Sequence, residues 1–319
     1  MKSLFINPKT QKLRAGWQIL AFAIIFLFFN TILMFTTRSI LGSLPAKGTL
    51  WFLLLGISAT IATFIILKYI SKRSLSSFGL KAKWALKDLS IGIGIGALIM
   101  SCMYVTLLFL GHIRFDGFSW WKDEAHTLGN FTNASIWSAL AVFFQFIVVA
   151  WWEELAFRGI ILQNIAKGLN IKWGIILSTI GFGLIHAGNP NATALSTFLI
   201  MVITFKLVYA YLKSGQLWMP IGLHLGWNFF QASIFGFASS GYMSPSLIAQ
   251  TPISADWISG GKFGAEHSIF IVPFTFASFL LMHLWVKYSR NLTAYRIMDF
   301  LVQEKDFEDQ KEHNSLNIR

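Results

Sequence analysis

Eight stretches of this chain contain no Asp, Glu, Lys or Arg over lengths that approach or reach the ~20 apolar residues needed to cross a bilayer as a helix. They are Trp17–Phe35, Gly48–Leu67, Leu89–Leu110, Ala134–Trp152, Trp173–Ile185, Thr193–Phe205, Gln216–Phe235 and Ser268–Val286. The fifth has a short uncharged core and ends at His186-Ala-Gly-Asn-Pro190, which makes it the weakest candidate for a full span. This pattern predicts an all-α, polytopic integral membrane protein of about eight transmembrane helices. Its transmembrane domain covers 17–289, between an N-terminal segment 1–16 and a tail 290–319. Charged residues make up 13% of the 319 positions, about half the ~25% of a soluble domain, which excludes a disordered chain. Cys102 is the single cysteine, so an internal disulfide and a multi-thiolate metal site are excluded too. The start does not read as a cleavable signal, because the first apolar run is long and no small-residue cleavage pattern follows it closely.

The formal charge of +12 is a topology signal. Lys2, Lys9, Lys12 and Arg14 precede the first run, and Lys68, Lys72, Arg73, Lys81, Lys83 and Lys87 lie between the second and third. Lys167 and Lys172, then Lys213, then Lys287, Arg290 and Arg296 continue the alternation. The intervening connections are poor in basic residues, which places both termini in the cytoplasm and leaves no need for a nucleic-acid partner. Trp17, Trp51, Trp84, Trp120, Trp121, Trp137, Trp173, Trp218 and Trp285 near the run ends read as an interfacial belt. Gly92 and Gly96 read as a close helix contact rather than a nucleotide loop, since no strand precedes them. The connection from Gly236 to His267, rich in Gly, Ser and Pro, reads as either a lid or a plain loop.

Twelve of the 14 carboxylates fall in connections, at run edges or in the tail (Asp88, Asp116, Asp123, Glu124, Asp256, Glu266 and Asp299 to Glu312). Only Glu153 and Glu154 continue directly from an apolar run, and ionisable groups at membrane depth are candidates for function. Glu154 and Arg158 are i,i+4 and can pair along one helix face, whereas Glu153 points about 100° away. The plainer explanation, that Glu153, Glu154 and Arg158 mark a helix end, must be weighed against His186, His224 and Asn228 on neighbouring runs. His224 and Asn228 are again i,i+4. His283 reads as a packing residue. Counting helical rise from the turns brings Glu153 level with His186, within the membrane and open to its cytoplasmic half.

At these residues the sequence resembles the CPBP family, the CaaX proteases and bacteriocin-processing (Abi) membrane proteins. Glu153-Glu154-x-x-x-Arg158, Phe182-x-x-x-His186 and His224-x-x-x-Asn228 match its three motifs in order. Weaker echoes are Leu13-Arg-Ala-Gly-Trp17, Ser77-Phe-Gly-Leu80, Phe157-Arg-Gly159 and Gly215-Gln-Leu-Trp-Met-Pro220. The motif core covers about 145–230. The resemblance implies an intramembrane glutamic endopeptidase of a cell inner membrane, without metal or other cofactor, acting on a hydrophobic or lipid-modified peptide or protein substrate. Glu153 and His186 would activate water, and His224 and Asn228 would form the oxyanion hole. Glu154, Arg158 and Phe182 would support them. A zinc-dependent protease is a rival reading, since two histidines and a glutamate could ligate zinc, but no His-Glu-x-x-His is present. A second rival is a non-proteolytic binding or immunity scaffold, or a transporter using the carboxylates as a proton relay. No repeat between the two halves supports a broken-helix transporter.

Overall fold

The computed structural model describes residues 2–8, 11–43, 48–119 and 136–290. Lys9, Lys47, Trp120, Trp121, Lys122, Asp123, Glu124, Arg296 and the tail carboxylates lie outside the described residues. Each apolar run becomes a helix. They are α1 (Ala15–Leu41), α2 (Thr49–Ile65), α3 (Ala85–Phe109), α4 (Ile136–Glu154), α5 (Ile171–His186), α6 (Ala194–Ser214), α7 (Trp218–Phe229) and α8 (Ile271–Arg290). Helix α2 continues into a π turn at Ile66–Ile70, and α7 into another at Phe230–Ile234. Helix α4 passes through a π turn at Leu155–Ile161 into the helical segment Leu162–Gly168.

Six of the eight (α1, α2, α3, α4, α6 and α8) are long and apolar enough to cross a membrane; α5, with 16 residues, and α7, with 12, are shorter. The protein is therefore an all-α membrane protein whose two shorter helices carry three of the four expected catalytic side chains. A small antiparallel pair, β1 (Ile113–Phe118) with β2 (Ile248–Pro252), adds the one sheet among the described residues.

Helix α7 sits at the centre, packed on α3, α4 and α6. Its contact with α3 is close because glycines face backbone on both sides. A methyl group on Gly92 would stand 2.5 Å from the Met219 carbonyl oxygen, and one on Gly96 would stand 2.6 Å from the Trp227 nitrogen. Methyl groups on Gly222 and Gly226 would press on the carbonyls of Leu89 and Ile93. The small-residue reading of Gly92 and Gly96 thus holds, and its partners are Gly222 and Gly226 on the motif helix.

Two of the weak sequence echoes, Ser77–Leu80 and Gly215–Pro220, fasten the motif helices. Phe78 is fully buried against Gly159, where a Cβ would collide with its ring. The Phe78 carbonyl accepts from Gln163 Nε2 at 2.8 Å, and Gln163 Oε1 accepts from Arg73 at 2.9 Å. Gly79, at φ +112°, turns the chain so that its carbonyl accepts from the Leu217 N–H at 2.8 Å. Trp218 Nε1 donates to the Lys81 carbonyl at 2.9 Å and Gln216 Nε2 to that of Lys83 at 3.0 Å. The segment before α3 therefore holds the start of α7. Near the N-terminus, Arg14 and Trp17 donate to the Ser3 and Leu4 carbonyls and tie the opening residues to α1.

Candidate active site

Apolar helices leave few polar atoms unsatisfied, so those that face inward stand out. Glu154 and Arg158 are fully buried, and Arg158 Nη1 donates to Glu154 Oε1 at 2.9 Å. The pairing expected from the i,i+4 spacing is present although the helix passes through a π turn between them. The same oxygen, Glu154 Oε1, lies 3.0 Å from His224 Nδ1 on α7. His224 Nε2 lies 3.7 Å from Glu153 Oε2. The imidazole is thus held between two adjacent carboxylates, one on each nitrogen. The i,i+4 cation of this helix goes to Glu154, and the basic partner of Glu153 comes from α7.

On α5, His186 Nδ1 lies 2.7 Å from the Phe182 carbonyl oxygen. A carbonyl only accepts, so Nδ1 carries the hydrogen and Nε2 is the proton-accepting nitrogen. The Phe182 ring is the hub of the cluster. Its centroid is 4.7 Å from that of His186 and 6.1 Å from that of His224, and the Arg158 guanidinium carbon stands 4.6 Å above it. Phe157 packs edge-on against it at 4.9 Å. Phe182 therefore fixes both histidines and the arginine.

Glu153, His186, His224 and Asn228 all line one cavity of about 1500 Å³. Asn228 lies one turn beyond His224 on α7 and is buried. His283 does not line it, in keeping with a packing role. Glu153 Oε2, Glu154 Oε2 and Arg158 Nη2 have no hydrogen-bond partner among the described residues; unsatisfied buried polar atoms cluster at sites that bind water or ligand. No group of three or more His, Cys, Asp or Glu among the described residues is arranged to hold a metal ion.

The cavity reaches further than the depth argument places it. Its walls include Gly48 and Thr49 at the start of α2, Ser138 near the start of α4, and Ser239–Pro245 with Glu266 from the connection before α8. All of these lie on the side away from the basic connections. The 236–267 connection is a folded cap with buried Phe237, Ala238, Phe263 and Ala265. Gly241 donates its N–H to the Phe263 carbonyl at 2.8 Å, while Ser240 donates N–H and Oγ–H to Glu266 Oε2 at 2.8 and 2.7 Å.

Two buried charged residues that line the cavity were missed from sequence. Glu266 reads as a loop carboxylate, yet it is 5% exposed and lines the cavity. Lys206 escapes notice because the uncharged run ends at Phe205, one residue short of it, while α6 continues to Ser214. Apolar residues on both sides, Phe205 and Leu207-Val208, were the available signal.

Comparison with known proteins agrees with the geometry. Residues 135–230, the segment carrying all three motifs, match the family of Rce1-like type II CAAX prenyl endopeptidases. Over 192 residues the chain is 26% identical to the "Putative membrane peptidase YdiL" of Bacillus subtilis (strain 168), covering 59% of this chain and 71% of that protein. No solved structure matches. The segment that carries Glu153, His186, His224 and Asn228 is thus the part of the chain that is similar to the CaaX-protease-like membrane proteins.

Proposed function

We propose that the protein is a metal-independent intramembrane endopeptidase in which Glu153 and His186 activate a water molecule. The observation that supports this reading is that Glu153, whose Oε2 makes no hydrogen bond to the described residues, lines the same cavity as His186, whose Nδ1 is bound to the Phe182 carbonyl and whose Nε2 is the accepting nitrogen. Water between these groups loses a proton to them as its oxygen attacks the substrate carbonyl. The oxyanion that forms is met by the Asn228 amide, and by His224 through Nε2–H when the ring is doubly protonated. His224 Nδ1 is spent on Glu154, so Nε2 is the nitrogen that can serve the reaction. The abstracted proton then passes to the leaving amine, and the C–N bond breaks. Glu154 and Arg158 hold the His224 ring, and Phe182 holds both histidines.

A hydrophobic or lipid-modified peptide suits a cavity walled by Phe22, Phe26, Phe52, Val142, Phe146 and Val149. The domain 17–289 would sit as a multi-pass protein in the inner (plasma) membrane, with 1–16 and 290–319 cytoplasmic. The test is cleavage of a prenylated peptide by the purified chain in proteoliposomes, compared with Glu153→Gln and repeated with a chelator. Turnover that needs Glu153 and survives the chelator is expected. Loss on chelation with rescue by zinc would favour the metalloprotease alternative, and no cleavage at all the scaffold or transporter alternative.

A further inference from the structure

His186 is the last residue of α5, and the stretch from Ala187 to Thr193 is a turn that leads into α6. The turn is left-handed at Asn191, with φ +59°. Its internal bonds are local. Asn189 donates its N–H to the His186 carbonyl at 3.0 Å, and Ala192 donates to the Asn189 carbonyl at 3.2 Å. Such bonds fix the shape of the turn, but not where it stands relative to α4 and Glu153.

The 236–267 cap grips this turn at both ends. Ser239 and Tyr242 exchange backbone hydrogen bonds at 2.8 and 3.0 Å across Ser240 (φ +48°) and Gly241 (φ +88°). This is a two-residue hairpin turn with both central residues left-handed. The conformation is strained for Ser240, which is not glycine. The buried Glu266 carboxylate offsets that strain by accepting the Ser240 N–H and Oγ–H. The hairpin tip rests on the turn after His186. A methyl group on Gly241 would collide with the Pro190 carbonyl, and the Tyr242 hydroxyl lies 3.5 Å from Asn189 Oδ1.

At the other end, His267 Nε2 lies 3.1 Å from Thr193 Oγ1. That oxygen accepts from the Ser196 N–H at 3.0 Å and so caps the start of α6. Gly183, one turn before His186, lies against Thr197 and Met201 of α6. A fixed start of α6 therefore also fixes the end of α5. Both braces come from residues beyond the motif-bearing segment.

We propose that Gly241 and His267 are positioning residues that seat the Ala187–Thr193 turn and thereby set where His186 stands relative to Glu153. This rests on the peptidase reading. Gly241 has no side chain to offer a substrate; it provides room for the Pro190 carbonyl. A shift of about 1 Å in a reacting group can cost on the order of 10²-fold in rate, while the apolar walls that would hold a substrate stay in place.

The experiment uses the full chain in proteoliposomes with a quenched fluorescent farnesylated peptide. It reads kcat, KM and the unfolding midpoint in detergent for each variant. Gly241→Ala and His267→Ala should each lower kcat about 10–100-fold, with KM within a few-fold of the parent, the signature of lost transition-state geometry rather than lost binding. His267→Gln, whose amide can reach Thr193 Oγ1, should recover most of the kcat. Gly260→Ala is the comparison. Gly260 has φ +93°, and a methyl group there would stand 2.5 Å from the Gly264 carbonyl oxygen. The change strains the cap away from the turn, so it should lower the midpoint as Gly241→Ala does and leave the kcat of the folded protein near the parent value. Equal loss of kcat in Gly241→Ala and Gly260→Ala makes the cap merely structural and overturns the proposal. If Gly241→Ala does not fold, the His267 variants decide: an unchanged kcat in His267→Ala, or no recovery in His267→Gln, overturns it. Absence of cleavage by the parent chain strikes the peptidase reading and this inference with it. A parent that cleaves while Gly241→Ala and His267→Ala keep its kcat strikes the positioning role alone.

Discussion

His224 Nδ1 and Arg158 Nη1 converge on a single oxygen, Glu154 Oε1, at 3.0 and 2.9 Å. One carboxylate thus fixes both the orientation of the His224 imidazole and the guanidinium one turn along its own helix. Glu153, one residue earlier, turns toward the opposite nitrogen of the same ring. The two adjacent glutamates therefore have separable tasks.

Glu153→Gln preserves size but removes the proton acceptor. Turnover should fall about 10²–10⁴-fold, the range for loss of a general base, while the affinity for a prenylated peptide stays within a few-fold of the parent. Near-normal turnover in this variant, measured in proteoliposomes, would remove Glu153 from the role of base.

Glu154→Gln should behave differently. It weakens the anchor for His224 and leaves the buried Arg158 cation unpaired, so turnover and thermal stability in detergent should drop together. A variant as stable as the parent and defective in turnover alone would exchange the tasks of the two glutamates.

Arg158→Ala strands the Glu154 carboxylate in an apolar interior. Breaking a buried pair from one side costs about 3–5 kcal/mol, so the unfolding midpoint and the yield of folded protein should both decline sharply. A well-folded Arg158→Ala protein with normal turnover would contradict the pairing.

Gly96→Val and Gly226→Val each insert bulk where α3 and α7 touch through backbone. Overpacking of this kind costs about 1–3 kcal/mol or more, and because α7 carries His224 and Asn228, turnover should fall further than stability. Gly94 lies on the same helix as Gly96, and a methyl group added there would meet nothing within 4 Å; Gly94→Ala should leave thermal stability and turnover near the parent values. Equal effects at all three glycines would mean that the crossing does not position the site.

Much of this organisation was legible in the residues themselves. The apolar runs located all eight helices, because exclusion of charge from a bilayer leaves a strong compositional trace. The Glu154–Arg158 pair followed from i,i+4 geometry, and the small-residue contact from Gly92 and Gly96. What escaped depended on tertiary placement. No local pattern tells that Glu266, in a connection rich in Gly and Ser, folds back over the cavity. The pairing of β1 with β2 joins segments more than a hundred residues apart, without the close turn that betrays a hairpin. Lys206 was hidden by counting uncharged runs, which ends a helix at its first cation even where the backbone carries on.

The π turn after Glu154 has a consequence for chain length. Such a turn accommodates one residue more than an α turn, and each residue of an α-helix rotates direction by about 100°. Before it, α4 aims Val149 and Glu153 at the cavity; beyond it, Gln163 reaches Phe78 and Arg73. Deleting a single residue between Glu154 and Leu162 would turn one half against the other, sending either the glutamates away from His224 or Gln163 away from its partners. A chain could keep every motif side chain and still lose the site by being one residue too short.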